Sequence, residues 1–190
     1  MRSTREEMEN DAQKFYRISR FPRVIDAIDC TLVRIDYVGG SVAEIFRSRK
    51  NFLALNVQTV SDANLRIKNI VARWPGSAHD ETIFKNSILK NEFERDEYEP
   101  YILIRDSGYH LEPYLTTKLR RVMMNAENLY NESIIRTRNV VERQYGVWKK
   151  QFPVLSVGMR LKLNTIIAVI IATAVLHNMA IDWSDEPLPE

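Results

Sequence analysis

The chain has 190 residues, 45% of them hydrophobic, with 27 Lys+Arg against 25 Asp+Glu for a formal net charge of +2, a balance that suits one domain with a packed core and excludes a disordered or fibrous class. Its single cysteine, Cys30, excludes an internal disulfide, and with only His79, His110 and His177 beside it a Cys/His zinc site is excluded too. The charged opening MRSTREEMENDAQKF lacks the apolar centre of a secretion signal, and the longest apolar run, residues 165–176, is too short to span a bilayer, so an intracellular protein with no membrane association is expected.

In chain order, residues 1–20 read as a polar helical lead-in. VIDAIDCTLVRI, 24–35, is rich in β-branched residues and reads as a strand between Pro22 and Gly39-Gly40. FLALNVQTV and LRIKNIVARW flank the polar tetrapeptide SDAN, the pattern of a hairpin, and Trp74-Pro75-Gly76-Ser77 stops its second strand. HDETIFKNSILKNEF has helical spacing at Ile83, Phe84, Ile88 and Phe93, and YILI, 101–104, is a short strand. A helix over about 138–150 aligns Val141, Tyr145, Trp148 and Phe152 on one face, with Glu142 at the border of that stripe. A last helix over about 161–181 is apolar nearly all round and is expected to be buried. Three strands, a helix, a strand and two helices describe an α/β sheet with helices packed on it, without internal repeats.

No glycine-rich phosphate loop, nucleophile elbow or His-Glu-x-x-His motif is present, which leaves carboxylates as the chemical candidates. Asp29 lies inside the first apolar strand, where an ionised carboxylate needs a partner or a metal. Asp26 has the opposite parity and is expected to face solvent. Asp106 follows YILI-Arg105 at the carboxyl end of a strand, the usual ligand side of open α/β sheets, and Ser107-Gly108 turns the chain after it. With Glu142 these two aspartates form a hard-oxygen set suited to Mg²⁺ or Mn²⁺, and two such ions about 4 Å apart serve phosphodiester displacement. Charge is segregated as that chemistry requires: residues 136–162 hold seven basic side chains against one acidic, Glu142. Arg138, Arg143, Lys149 and Lys150 are the candidate phosphate contacts, and Gly146, one turn beyond Glu142, leaves the carboxylate unshaded. A bland account stands beside this one: an aspartate after a strand is commonly a cap, and Glu142 is commonly the i,i+4 partner of Arg138.

The stretches FPRVIDAIDCT, FRSRKNFLALNVQTVSD, WPGSAHDETIF, ILIRDSGY, AENLYNESIIRTRNVVERQYGVWKKQFPVL and ATAVLHN, in that order from Phe21 to Asn178, resemble the catalytic domain of PIF/Harbinger transposases and of the nucleases derived from them. The resemblance implies a ribonuclease-H-like fold over 21–182 followed by a tail, 183–190, and an Asp29, Asp106, Glu142 triad that binds two divalent ions, cuts one DNA strand and uses the freed 3′ hydroxyl for strand transfer. It also implies a nuclear, possibly also cytoplasmic, site of action and a separate Myb-like DNA-binding partner. His79 and Asp80 fall in the family's Pro-Gly-Ser-x-His-Asp stretch and are secondary site candidates, with a helix cap by Asp80 as the alternative. Arg105, Leu32, Ile134 and Thr117-Lys118 depart from the family pattern, and Arg105 is placed to pair with Asp106. Because family members carry a further N-terminal helical region, the chain reads as truncated, and a catalytically inactive DNA- or protein-binding module is the rival expectation.

Overall fold

The structure, a computed structural model, describes residues 4–36, 43–106 and 112–185. A five-stranded mixed sheet has strand order β3-β2-β1-β4-β5, built from β1 (Val24–Arg34), β2 (Ala54–Ser61), β3 (Ile67–Pro75), β4 (Ile102–Ile104) and β5 (Leu115–Thr116). Helices flank it: α1 (Arg5–Ser19), α2 (Asp80–Lys85), α3 (Ile88–Glu94), α4 (Asn125–Gln151), α5 (Val154–Val157) and α6 (Leu163–Asp185). This is the mixed sheet with flanking helices expected of a ribonuclease-H-like fold. The hairpin around SDAN is present as the antiparallel β2–β3 pair, whereas β1 pairs with β4 in parallel.

Both faces of the central strand are covered. Ala27, Val33 and Ile35 pack on one side with Val141, Trp148, Ile166 and Ile170, whereas Ile25 and Ile28 pack on the other with Phe84, Leu89 and Phe93. The expectation that Asp26 faces solvent therefore fails: its parity is opposite to that of Asp29, but the opposite face is also core, and Asp26 is only 6% exposed. The lead-in is helical as expected and contributes to both cores, Phe15 to one and Met8 and Ala12 to the other. Thr4 caps it, and Thr4 and Glu7 bond each other's backbone amides.

Three features differ from the sequence expectation. The helix carrying Glu142 begins at Asn125 rather than near 138, because the Glu127 carboxylate accepts from the Met123 and Met124 amides (2.6 and 3.0 Å) and supplies the N-terminal partner that no Ser or Thr provides. The segment after Gly76 forms two short helices rather than one, since Ser87 accepts from Lys90 N and starts a second. The last helix is not buried all round. Ile166, Ile170, Ala174 and His177 face the protein, while Val175, Leu176, Met179 and Trp183 are exposed. Taken whole, Leu163–Ser184 is long and apolar enough to cross a membrane by length and composition, which corrects the estimate made from 165–176 alone; in the fold it lies along β3 and α4. Its docking is polar and specific. The Asn178 side chain pairs with the amide and carbonyl of Ile67 (2.8 and 2.9 Å), and His177 Nε2 donates to the Leu65 carbonyl (2.9 Å).

Candidate active site

The parallel register Ala27↔Ile104 carries Asp29 and Asp106 to the same level. Each lies two residues beyond a paired position, on neighbouring strands about 4.8 Å apart. Helix α4 then crosses this edge of the sheet and is locked there by Tyr145, whose hydroxyl donates to the carbonyl of Asp29 itself (2.5 Å). Thr59, the cross-strand partner of Asp29, has its Oγ1 2.9 Å from Gln144 Oε1 and 3.0 Å from Tyr145 Oη. The clamp is buried, and it fixes the height of Glu142, three residues earlier, relative to Asp29. Sequence reading took Tyr145 as plain stripe and passed over Gln144 and Thr59. A polar side chain within an otherwise apolar helical face was the available signal.

The three carboxylates converge on one cation. Arg138 Nη2 lies 2.7 Å from Glu142 Oε1, and its Nη1 lies 3.7 Å from Asp29 Oδ2 and 3.9 Å from Asp106 Oδ1. The i,i+4 pairing of Arg138 with Glu142 is thus present and is one arm of a larger cluster. Side-chain exposure is graded across it, from 16% at Asp29 to 50% at Asp106 and 48% at Glu142. Burial is what chiefly pushes the Asp29 carboxyl up, to about 6, with Asp80 and Asp106 adding repulsion and the Cys30 amide and Arg138 opposing. The Cys30 amide donates to Asp29 Oδ1 (2.8 Å) and orients the carboxylate.

Among the described residues no group of three Asp, Glu, His or Cys side chains is drawn close enough to hold a metal ion as it stands. The donor set nevertheless fits one chemically: three hard oxygens face a shared positive centre, which the Arg138 guanidinium now fills. Ser107-Gly108, expected to turn the chain after Asp106, and His110 lie outside the described residues.

The remaining candidates separate. Arg138 belongs to the carboxylate cluster. Lys149 reaches the sheet, donating to Thr31 Oγ1 (2.7 Å) and the Leu32 carbonyl (2.9 Å), whereas Arg143 and Lys150 are exposed on the outer side of α4. Asp80 is not the cap of α2. His79 holds that position without a side-chain bond, and Asp80 Oδ1 instead accepts from Asn56 Nδ2 (2.8 Å), near enough to Asp29 to raise its pKa. Arg105 is buried, and its charge opposes the rise of the Tyr114 pKa; Ile134 is core. Gly146 is open: a Cβ there would meet nothing within 4 Å.

The family model described as "DDE superfamily endonuclease" matches residues 28–178, well over half of the chain. The chain is similar to proteins named "Putative nuclease HARBI1" from Bos taurus (28% identical over 172 residues, 89% of this chain and 49% of the relative) and Homo sapiens (27%, with the same coverage). It is also similar to "Protein ALP1-like" of Arabidopsis thaliana, at 27% identity over 195 residues, 93% of this chain and 48% of that protein. The chain thus spans about half the length of the curated relatives it matches. No solved structure matches it significantly.

Proposed function

The chain belongs to the DDE superfamily endonuclease family, and we propose that it is a divalent-metal-dependent DNA endonuclease core of Harbinger type whose Asp29, Asp106 and Glu142 form the catalytic triad. The observation that carries this is the convergence of those three side chains, from β1, from beyond β4 and from α4, on the single guanidinium of Arg138.

Mg²⁺ or Mn²⁺ held by these carboxylates supplies an activated water and stabilisation of the leaving oxygen. The chain's own residues prepare that chemistry. Tyr145 and the Cys30 amide fix the Asp29 backbone and carboxylate. With Asp29, Asp106 and Glu142 holding metal, the Arg138 charge would be available to a phosphate. Hydrolysis transfers the water oxygen to phosphorus and releases a 3′ hydroxyl, the group that strand transfer uses as nucleophile. The proposal extends to nuclear DNA as substrate and to a separate Myb-like protein for sequence recognition; both rest on the family resemblance.

The test is nicking of supercoiled plasmid by the purified chain with Mn²⁺, beside Asp106→Asn and Glu142→Gln. Both positions are half-exposed, so the variants are expected to fold. Nicking lost in both supports the assignment. Nicking that survives both variants, or is absent from wild type, overturns it and favours a module that binds DNA or protein without cutting.

A further inference from the structure

Beside the triad, between the carboxyl half of β1, the 47–52 turn, the segment 76–80 and α4, lies a cleft of about 400 Å³. Its lining combines both charges. Asp80, fixed by Asn56, raises the pKa of Asp29. Lys149, Lys50, Arg49 and Arg34 line the same cleft from α4, the turn and β1. Among the described residues, Lys149 bonds only the neutral oxygens of Thr31 and Leu32, so its charge is oriented without being neutralised. Arg49 and Lys50 are exposed, while Arg34 lies over the Phe52 ring (5.6 Å) and near Asp36 (3.8 Å). Lys50 stands close enough to Lys149 to add to the burial that lowers the Lys149 amine to about 8. Mutually repelling cations lining one concave surface are the electrostatic form of a phosphate site.

We infer that this cleft seats the DNA strand flanking the scissile bond, with Lys149, Lys50 and Arg49 holding its phosphodiester backbone without reading its sequence. The inference rests on the nuclease proposal for what the strand approaches: Lys149 lies two helical turns, about 10 Å, along α4 from Glu142, so a strand held by Lys149 is within reach of the carboxylates. It relocates the nucleic-acid contact from the outer face of α4 to residues of the 47–52 turn that are far away in sequence. Gly76 belongs to the wall of this cleft, and a Cβ there would fall 2.7 Å from the Phe46 carbonyl oxygen and 2.8 Å from that of Ala54. The wall is therefore close-packed backbone.

The experiment is fluorescence anisotropy of two labelled single-stranded oligonucleotides, equal in length and unrelated in sequence, titrated with the protein in EDTA over a range of salt concentrations. An Arg49→Ala/Lys50→Ala variant is compared with Arg143→Ala/Lys150→Ala, all four positions being exposed and remote from the core. The cleft variant is expected to weaken binding of both oligonucleotides alike and to flatten the log–log salt dependence by about 1.4, the loss of two single-strand phosphate contacts. An unchanged slope, a change confined to the outer-face variant, or no binding by wild type overturns the inference. Nicking measured on the same preparations separates the two proposals. Lost nicking in triad variants with unaltered binding by the cleft variant sinks only the cleft; cleft-dependent binding without nicking sinks only the nuclease.

Discussion

Asp26 and Asp29 are three residues apart on β1 and face opposite sides of one sheet, yet each lies among carboxylates gathered around one basic side chain, Lys68 for Asp26 and Arg138 for Asp29. Asp26 meets Lys68 (3.1 Å), which also binds Asp11 (2.9 Å), and Asp11 and Asp26 are almost sealed from solvent. Burial pushes the Asp26 carboxyl up to about 7, while Lys68 is held cationic by the two aspartates. These effects pull in opposite directions on the pair. Asp11 shares Lys68 and also lies 3.9 Å from Lys14, so Lys68 offsets the burial of Asp26 only in part. On the other face, Asp29, Asp106 and Glu142 converge on Arg138 at an open edge, where Asp106 and Glu142 are half-exposed. The same ingredients make a closed structural knot where both layers cover them and an open carboxylate cluster, the proposed cation site, where the layer ends.

Exchanging the two aspartates for their amides is the strongest test of that contrast. Asp29→Asn is expected to lower Mn²⁺-dependent nicking at least about 100-fold, some 2.7 kcal/mol in barrier, while Asp26→Asn leaves it within a few-fold. Comparable losses in plasmid assays of the two would erase the distinction. Metal should tell the faces apart by a similar amount. Mn²⁺ at a hundred times its Kd is expected to stabilise wild type by about 2.7 kcal/mol, Asp29→Asn should lose the effect, and Arg138→Ala should reach it at lower Mn²⁺ because no guanidinium has to be displaced. Calorimetric melting with EDTA and Mn²⁺ measures this, and a shift that survives in Asp29→Asn contradicts it.

The third effect is a pH dependence confined to the buried knot. A folded-state carboxyl at about 7 against an unfolded one near 3.8 binds its proton more tightly when folded, so its protonation stabilises the fold and stability falls as pH rises from about 4 to 7. Asp26→Asn removes that titration. Its stability relative to wild type, read by urea unfolding, should climb by about 2 kcal/mol between pH 5.5 and 8; a constant difference would mean that Asp26 stays charged throughout. The smallest effect belongs to the clamp between the faces. Tyr145→Phe removes the hydrogen bond to the Asp29 carbonyl at a cost of about 1 kcal/mol, and nicking should fall by more than that loss of folded protein explains, because Glu142 loses its fixed height.

Much of this was legible in the residues themselves. Alternating and continuous apolar runs located β1 to β4, and the intervals among Val141, Tyr145 and Trp148 located the buried face of α4. Asp29, Asp106 and Glu142 stood out because carboxylates beside apolar runs need a physical reason. What stayed hidden was tertiary. Nothing local distinguishes Asp26 in a covered strand from Asp26 at a surface, and nothing in Arg138 alone says that its guanidinium serves three carboxylates at once. The two-residue β5 and four-residue α5 are too short to carry a period. The exposed side of α6 could not be separated from its buried side, because apolar residues occupy both.

Gly146 makes the economy of the site visible. An alanine there would meet no obstacle and would strengthen the middle of a 27-residue helix by about 1 kcal/mol, so the position forgoes rigidity without any packing necessity. One turn from Glu142, it works as an aperture, and its width can be graded. Alanine, leucine and tryptophan in series should firm the helix at the first step and then progressively narrow the approach of a rigid duplex before that of a flexible single strand, turning one backbone position into a dial for substrate form.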